Sequence, residues 1–323
     1  MAASTLGPCG PRLSPPHLIE VATTPPNELM SRLPPITRAT VRDFLTYLRE
    51  EIALNELSVQ GVDRLSGAVA LHKWTLEADE ILNTKRSPEK IAEDEKDAHR
   101  VAKVAQAAVD SDFATLNAHM LVACWGALES FSEDVVVAML RDKPDLLTQA
   151  VEKGPPVSTI KIPLAEYVQM SQDDMLRRIV RDAAQASKAS LQSGRSRLEA
   201  VLEMFDLAGP TEASTSTKLF EMHQIRNVII HRRSIADDRF VRHCAHLGYK
   251  RCDKVALTPK TVFEYVQAIV NYVTSLIQHL SESLENADQS NYEGPKEAPT
   301  TKATTARTRR KRGTGHASTR PKE

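Results

Sequence analysis

The sequence predicts an all-α fold, and three observations on its 323 residues lead to this prediction. Apolar residues recur every three or four positions through most of residues 37–284, which is the period of an α-helix. Pro88 and Pro259 follow Ser and Thr, as at helix starts, and Pro210 follows Gly, as after a helix end. Alternation of apolar and polar residues, which marks a half-buried strand, extends over no more than a few positions.

The first 36 residues precede the predicted helices. They hold eight of the 18 prolines, each of which removes a backbone donor and disfavours helix at the preceding residue. We therefore expect a Pro-rich disordered arm over residues 1–36. From Thr37 an amphipathic helix is predicted to run to about Leu82, with a break near Gly61 or Gly67. Its apolar positions are Val41, Phe44, Leu45, Leu48, Ile52, Leu54 and Leu57.

A polar helix over residues 89–109 completes an N-terminal helical region at residues 37–110. The next region, residues 111–285, begins with a more apolar helix that opens at Asp112 and ends at Pro144. Its apolar residues follow the helical period closely enough to predict a buried helix: Leu116, Met120, Ala123, Ala127, Phe131, Val135 and Met139.

Further helices are predicted within residues 111–285. They cover residues 163–185, 191–207, 218–233 and 258–284. A Ser/Thr cluster precedes the third of these, where its hydroxyls can cap the first turn. An irregular basic loop is expected between the third and fourth, at residues 234–257. Residues 286–323 have too few apolar side chains to offset the cost of ordering, and they predict a disordered basic tail.

The charges are divided unevenly along the chain. Lys and Arg number 42, as do Asp and Glu, but residues 300–323 hold eight bases and one acid. A basic tail on an acidic body is typical of proteins that contact nucleic acid or another polyanion, and such a tail also serves as a localisation signal. Because no apolar run suits a membrane span or a secretory signal, we expect a cytoplasmic protein with no membrane contact. Four cysteines without a Cys-x-x-Cys pair predict reduced thiols.

The helix predicted after Thr217 carries the residues best suited to chemistry. At about 100° per residue, His223, Asn227 and His231 fall within an arc of about 80°. Arg226 lies about 60° to the other side of His223. The opposite face is apolar, with Met222, Ile225, Val228 and Ile229. We expect that face to pack on the core and the polar stripe to lie at a surface, groove or dimer seam.

The string RNVIIH, from Arg226 to His231, resembles the R-x4-6-H motif of HEPN domains, α-helical modules many of which are ribonucleases. The match is most similar to the RiboL-PSP-HEPN branch. In that branch, a helix similar to LVACWGALESFSEDVV comes before an R-N-x-x-x-H helix. An Asp follows the second helix, and Asp237 or Asp238 occupies its position here. The resemblance covers about residues 112–280. It implies a metal-independent endoribonuclease without a cofactor, a homodimer, and a role as a toxin or defence effector.

The resemblance implies a role for each residue of the motif. In cleavage that uses the 2′-hydroxyl as nucleophile, His231 would transfer the proton, because imidazole populates both protonation states near neutrality. Arg226 would hold the scissile phosphate and stabilise its charge. Asn227 would orient His231 or the phosphate, and Glu129 would tether Arg226 or His231 from the neighbouring helix. Arg233 stands where HEPN toxins with nucleotidyltransferase antitoxins have a Tyr, so control through that Tyr is not implied.

Basic residues predict an RNA-binding surface beside this site. Residues 226–254 hold eight bases against three acids, which would concentrate a phosphate backbone there. The candidates are Arg232, Arg233, Arg239, Arg242, Lys250 and Arg251. The expected partners are therefore RNA and a second copy of the chain, together with an antitoxin or regulatory partner bound through residues 37–110.

A non-catalytic interpretation of the motif stays open. Arg226 and His231 could form a structural ion pair with Glu129 in a HEPN-like helical scaffold, or in a module that binds protein or RNA. His223 suits a polar-face residue better than a third catalytic group.

Two other groups of residues favour structural interpretations. His243, Cys244, His246 and Cys252 are of types that bind zinc, but their spacing matches no common zinc pattern, so no metal site is expected. Trp74 and Trp125 lie in apolar helical patterns and are expected in the core rather than as base-stacking platforms.

Overall fold

The computed structural model describes residues 27–186 and 197–292. Within these residues the chain is helical and forms no strands, which confirms the all-α prediction. The described residues contain twelve α-helices, and those up to Glu285 belong to one compact unit. The helices are α1 (Asn27–Arg32), α2 (Pro35–Leu65), α3 (Ala68–Ile81), α4 (Pro88–Asp110), α5 (Ala114–Asp142), α6 (Asp145–Glu152), α7 (Leu164–Tyr167), α8 (Gln172–Ala186), α9 (Arg197–Met204), α10 (Ala213–Arg232), α11 (Asp238–His243) and α12 (Pro259–Tyr292).

α5 is the central helix of the bundle. It packs against α2, α8, α9 and α10, and side chains around most of its circumference are buried. Leu128 and Val135 are fully buried, and the ring of Phe131 stacks on that of Phe44 of α2 at a centroid distance of 4.4 Å. The prediction of a buried helix here is confirmed, because neighbours cover α5 on several sides rather than along one stripe.

The folded part of the chain begins earlier than its proline content predicts. α1 ends at Arg32, the next residue, Leu33, is 1% exposed, and α2 starts at Pro35. Pro35 occupies the first turn of α2, where its missing N–H leaves no helical bond unmade. The expected disordered arm therefore does not include residues 27–36, and residues 1–26 lie outside the described residues.

A contact from α5 fixes the start of α2. The backbone N–H and the hydroxyl of Thr37 both donate to Oδ2 of Asp142, at 3.0 and 2.9 Å. Backbone N–H groups in the first turn of a helix have no partner within the helix. A carboxylate at the end of α5 satisfies one of them, and it thereby anchors α2 to the bundle.

The apolar face of α2 is buried only in its first half. Ile52 is 5% exposed, whereas Leu54 and Leu57, two of the apolar positions of the predicted amphipathic helix, are 59% and 67% exposed. α2 also packs against α4, and α4 packs against α3. These contacts leave Trp74 of α3 67% exposed, so its predicted core position is wrong.

The break expected near Gly61 or Gly67 lies at Gly67, because α2 continues through Gly61 and ends at Leu65, and α3 begins at Ala68. Helix boundaries differ from the prediction at two other places. The helix predicted over residues 163–185 is divided into α7 and α8. Of the helix predicted over residues 191–207, the structure shows α9, and residues 191–196 lie outside the described residues.

α10 begins before the Ser/Thr cluster that was expected to cap it. The helix starts at Ala213, and the side chain of Glu212 at the cap position accepts no hydrogen bond. Within the cluster, the Thr217 hydroxyl donates to the carbonyl of Ala213 at 2.9 Å. The predicted cap is wrong because a Ser or Thr hydroxyl can also bond to the preceding turn from inside a helix.

The loop expected at residues 234–257 contains ordered elements. Its Asp237 caps α11 by accepting a hydrogen bond from the backbone N–H of Phe240 at 2.8 Å. Ile235 and Lys254 form an isolated antiparallel bridge that closes the base of the loop. α12 then follows and continues past the predicted end, so part of the expected tail is helical, and residues 293–323 lie outside the described residues.

Candidate functional site

α10 presents a polar stripe away from the core. Met222, Ile225 and Val228 are buried in the core cluster, as predicted. His223 and Asn227 on the other side are partly buried, and His231 is exposed near the end of the helix. The opposite burial of the two faces follows from the helical period and gives the stripe access to a cavity.

The polar stripe lines a cavity of about 600 Å³, between α10, α5 and α11. The four residues predicted as catalytic, Arg226, Asn227, His231 and Glu129, all line it. The lining also includes residues that carry no catalytic prediction: Trp125, Glu199, Ser216, Leu219, Phe220, His223, Gln224, Val228, Asp237, Phe240 and His243. The fold therefore brings the predicted motif, and its neighbour on α5, to one recess.

Two contacts position Arg226. Its Nη2 lies 3.8 Å from Oε2 of Glu129, and its Nη1 donates to Oδ1 of Asn227 at 3.1 Å. Its Nε is buried and has no hydrogen-bond partner among the residues that the structure describes. The guanidinium is thus contacted from two sides, and its Nε–H stays unused.

Asn227 links Arg226 to His223 through a chain of hydrogen bonds that we call the amide relay. A guanidinium can only donate, so Oδ1 of Asn227 faces Arg226 and Nδ2 of the same amide faces His223. Nδ2 can only donate as well, and it lies 3.0 Å from Nε2 of His223. Nε2 must therefore accept, which places the imidazole proton on Nδ1 and makes His223 neutral.

The surroundings of His223 also favour its neutral form. Burial lowers the pKa of His223 below its ordinary value, and the nearby charges of Arg226 and Arg239 lower it further, whereas Glu129 acts in the opposite direction. Its Nδ1 is buried with no hydrogen-bond partner in the described part of the chain. The hydrogen-bond geometry and the electrostatics therefore agree on one protonation state.

Asn227 and Glu129 contact only some of the partners that their expected roles require, or contact other partners. Asn227 was expected to orient His231 or the phosphate, but its side-chain hydrogen bonds are to Arg226 and His223. Glu129 was expected to tether Arg226 or His231, and it pairs with Arg226. Within residues 27–186 and 197–292, no hydrogen bond holds the ring of His231, which lies exposed at the cavity rim.

Two residues of the cavity, Trp125 and His223, were predicted for structural roles. Trp125 is 2% exposed, which confirms its core position, yet it also lines the cavity. Its ring centroid lies 5.1 Å from that of His223, at an interplanar angle of 50°. The sequence signal that pairs His223 with Asn227 is their spacing of four residues on one helix face. No comparable signal links Trp125 to His223, because they lie on different helices.

The predicted RNA-binding residues divide into two groups. Arg232 and Arg239 line the cavity, whereas Arg233, Arg242, Lys250 and Arg251 do not. Arg232 pairs with Asp237 at 3.3 Å, and Arg251 pairs with Asp238 at 3.4 Å. The backbone N–H of Phe240 and, to a lesser degree, Arg232 lower the pKa of Asp237, which stays ionised beside the cavity. Arg239 has no ion-pair partner among the described residues, so its charge is available at the rim.

The four residues of zinc-binding type do not converge. Cys244 is buried, and this burial raises the pKa of its thiol to about 11. Cys252 is exposed, and Nε2 of His246 lies 2.8 Å from Oε1 of the buried Glu221. Within the described residues, no three His, Cys, Asp or Glu side chains are placed to hold a metal ion together.

Comparison with protein-family models, curated proteins and solved structures gives no match. In the described ranges, no helix combines the length and the apolar character needed to cross a membrane.

Proposed function

We propose that this chain is a metal-independent endoribonuclease of HEPN type that acts with Arg226 and His231. The observation that carries the proposal is the shared cavity. A partly buried arginine, contacted by Glu129 and Asn227, lines the same recess as an exposed histidine at the end of the same helix. An arginine and a histidine arranged in this way suit phosphoryl transfer, because one binds phosphate oxygens and the other carries a proton near neutrality.

The proposed reaction uses the 2′-hydroxyl of the RNA itself. The 2′ oxygen loses its proton and bonds to phosphorus, while the bond from phosphorus to the 5′ oxygen breaks and that oxygen gains a proton. The products are a 2′,3′-cyclic phosphate and a 5′-hydroxyl. His231 accepts or returns one of these protons. Arg226 neutralises the charge that builds on the phosphate oxygens.

The basic residues at the rim support RNA as the substrate. Arg232 and Arg239 line the cavity on either side of Asp237 in the chain, and Arg239 has no ion-pair partner within the described residues. A free guanidinium at the mouth of a cavity attracts a phosphate backbone in a manner that salt weakens. The resemblance further implies a homodimer, and a toxin or defence role in the cytoplasm, as parts of the same proposal.

A second candidate function is a non-catalytic helical module that binds a partner. Its support is two pairs of exposed apolar side chains, Leu54 with Leu57 on α2 and Leu71 with Trp74 on α3, each residue being more than half exposed. Residues three apart lie on the same face of a helix, and exposed apolar faces are typical of protein-binding sites. An antitoxin or regulatory protein would fit such a helix face outside the cavity.

Purified protein incubated with mixed RNA in excess chelator separates the two functions. The wild type is expected to cleave, and His231→Ala and Arg226→Ala are each expected to lose at least about 100-fold of that rate. His119→Ala on the exposed side of α5, and Arg64→Ala on α2, are matched controls that should cleave like the wild type. Equal inactivity of folded wild type and variants would support the binding module instead, and equal cleavage by all would refute the assigned residues.

A further inference from the structure

The cavity is elongated and follows α10. Its lining residues on this helix extend from Ser216 to Arg232 and recur at helical spacing. At about 1.5 Å per residue, these two residues lie about 24 Å apart along the helix axis. A nucleotide advances a stacked strand by only about 3.4 Å. An RNA bound along the cavity would therefore contact it through several nucleotides, and not through the cleaved one alone.

Contacts between α10 and α11 identify the two ends of the cavity. Arg232, at the end of α10, pairs at 3.3 Å with Asp237, which caps the start of α11. His243, the last residue of α11, has its ring centroid 5.9 Å from that of Phe220. All four residues line the cavity, and Phe220 precedes Arg232 by about 18 Å along the axis of α10. α11 thus runs opposite to α10 along the cavity, with Phe220 and His243, which we call the ring pair, at the far end from Arg232.

The residues proposed for catalysis lie on one side of the ring pair. Arg226 and His231 follow Phe220 by about 9 and about 16 Å along the axis of α10. A third cavity residue, Arg239, is exposed and lies close enough to His223 to lower the pKa of that ring. His223 stands midway between Phe220 and Arg226 along α10. The order along the cavity is therefore a proton carrier, two arginines and then an aromatic surface.

The ring pair is open to a ligand. His243 is exposed and Phe220 is partly exposed, and among the described residues no hydrogen bond holds the imidazole of His243. The two rings already contact each other, at an interplanar angle of 51°, so a third ring can stack against the pair but not between its members. Phe and His side chains are common stacking surfaces for RNA bases. This end of the cavity therefore suits the flat face of an unpaired base.

We infer that the ring pair stacks a base beyond the cleaved nucleotide and that Arg239 binds a phosphate between the two, so that the substrate is single-stranded RNA extending past the cleaved bond. The inference rests on the proposed function, because it names the class of RNA that the same site accepts. A base within a duplex is stacked on its neighbours and cannot lie against the ring pair. Every base has a flat face, so stacking here should tolerate any of the four.

Binding of uncleavable RNA to the intact protein tests the inference without any cleavage. 2′-O-methyl oligonucleotides of mixed sequence lack the attacking hydroxyl, and isothermal titration calorimetry compares a dinucleotide with a hexanucleotide. A third probe is a hairpin in which the sequence of the hexanucleotide is paired. The wild type is expected to bind the hexanucleotide at least about tenfold more tightly than the dinucleotide or the hairpin.

Variants of the ring pair test the stacking itself. His243→Ala and Phe220→Ala each remove a ring and are expected to weaken binding of the hexanucleotide at least about fivefold, without effect on the dinucleotide. His243→Phe and Phe220→Tyr keep a ring and should bind like the wild type, which separates stacking from hydrogen bonding by the imidazole. Arg239→Ala should weaken hexanucleotide binding by an amount that falls as salt is raised. His119→Ala, at an exposed histidine outside the cavity, is the matched control.

The outcomes separate this inference from the proposed function. Equal binding of the dinucleotide or the hairpin, no binding, or an affinity unchanged in folded His243→Ala or Arg239→Ala would overturn the inference, as would an equal loss in His243→Phe. Cleavage of unmodified RNA that depends neither on strand length nor on the ring pair would uphold the nuclease and overturn the inference. Length-dependent binding that is lost with the ring pair, in a protein that cleaves no RNA, would do the opposite. Because Phe220 is partly buried, circular dichroism checks its variants, and those of the exposed His243 carry the test alone if they do not fold.

Discussion

Nδ2 of Asn227 lies 3.0 Å from Nε2 of His223, and this contact determines which of the two imidazole nitrogens carries the proton. The other end of the same amide accepts a hydrogen bond from Arg226 at 3.1 Å. The protonation state of one side chain is therefore coupled to the position of another that is proposed to bind phosphate. A change at Asn227 should alter both.

Replacing the amide by a carboxylate should raise the pKa of His223. In the wild type this pKa lies below its ordinary value, chiefly because the ring is buried. In Asn227→Asp a carboxylate faces Nε2, where it accepts from the protonated ring and stabilises the imidazolium. Side-chain NMR titration measures the change, with Asn271→Asp on the exposed side of α12 as the control. A pKa that is the same in both variants would contradict the relay.

The lowered pKa of His223 predicts a stability that depends on pH. Because the unfolded chain binds this proton at a higher pH than the folded chain, the contribution is present above about pH 6.5 and is lost as the pH falls. Urea unfolding should therefore show a larger loss of stability from about pH 7.5 to about pH 5.5 in the wild type than in His223→Gln. The same loss in both proteins would mean that His223 is not held neutral.

The buried carboxylate of Glu221, which does not line the cavity, should contribute strongly to the free energy of unfolding. Glu221 is 2% exposed, and it accepts from Lys218 at 3.1 Å and from the Tyr265 hydroxyl at 3.2 Å, with His246 at 2.8 Å. Glu221→Ala leaves the buried Tyr265 hydroxyl without its acceptor, and it should lower the free energy of unfolding by about 3 kcal/mol. Glu264→Ala, at an exposed partner of the same lysine, should cost less than about 1 kcal/mol. Similar costs in chemical denaturation would contradict this ranking.

The two tryptophans should differ sharply in their effect on stability. Trp74 is 67% exposed on α3, so Trp74→Ser should change the free energy of unfolding by less than about 1 kcal/mol. Trp125→Ala empties a core position and should cost about 3 to 5 kcal/mol. Thermal or urea unfolding compares them directly. A large loss in the free energy of unfolding in Trp74→Ser would show instead that Trp74 packs against another part of the protein.

The parts of the fold that depend on helical period were predictable from the sequence. The apolar repeats of α5 and α10 lead to their buried faces, and the position of His223, Asn227 and His231 on one stripe leads to the polar wall of the cavity. These features require only that a neighbour covers the apolar side.

Other features depend on which elements meet, and periodicity does not contain that information. Leu57 and Trp74 belong to regular apolar repeats, but no described helix covers them, so they stay exposed. The six residues of α11 are too few for a repeat to emerge. The approach of Trp125 to His223 and the amide relay arise from the packing of α5 on α10 and from side-chain rotamers.

The most direct test of the central claim compares two RNA oligonucleotides in excess chelator. They differ at the cleaved nucleotide, where one has a 2′-hydroxyl and the other a 2′-deoxy sugar. The proposed mechanism predicts that the wild type cuts only the first and leaves a 2′,3′-cyclic phosphate, detected by mass spectrometry, and that His231→Ala cuts neither. Cleavage of the deoxy-substituted oligonucleotide at the same bond, or cleavage that survives in His231→Ala, would contradict it.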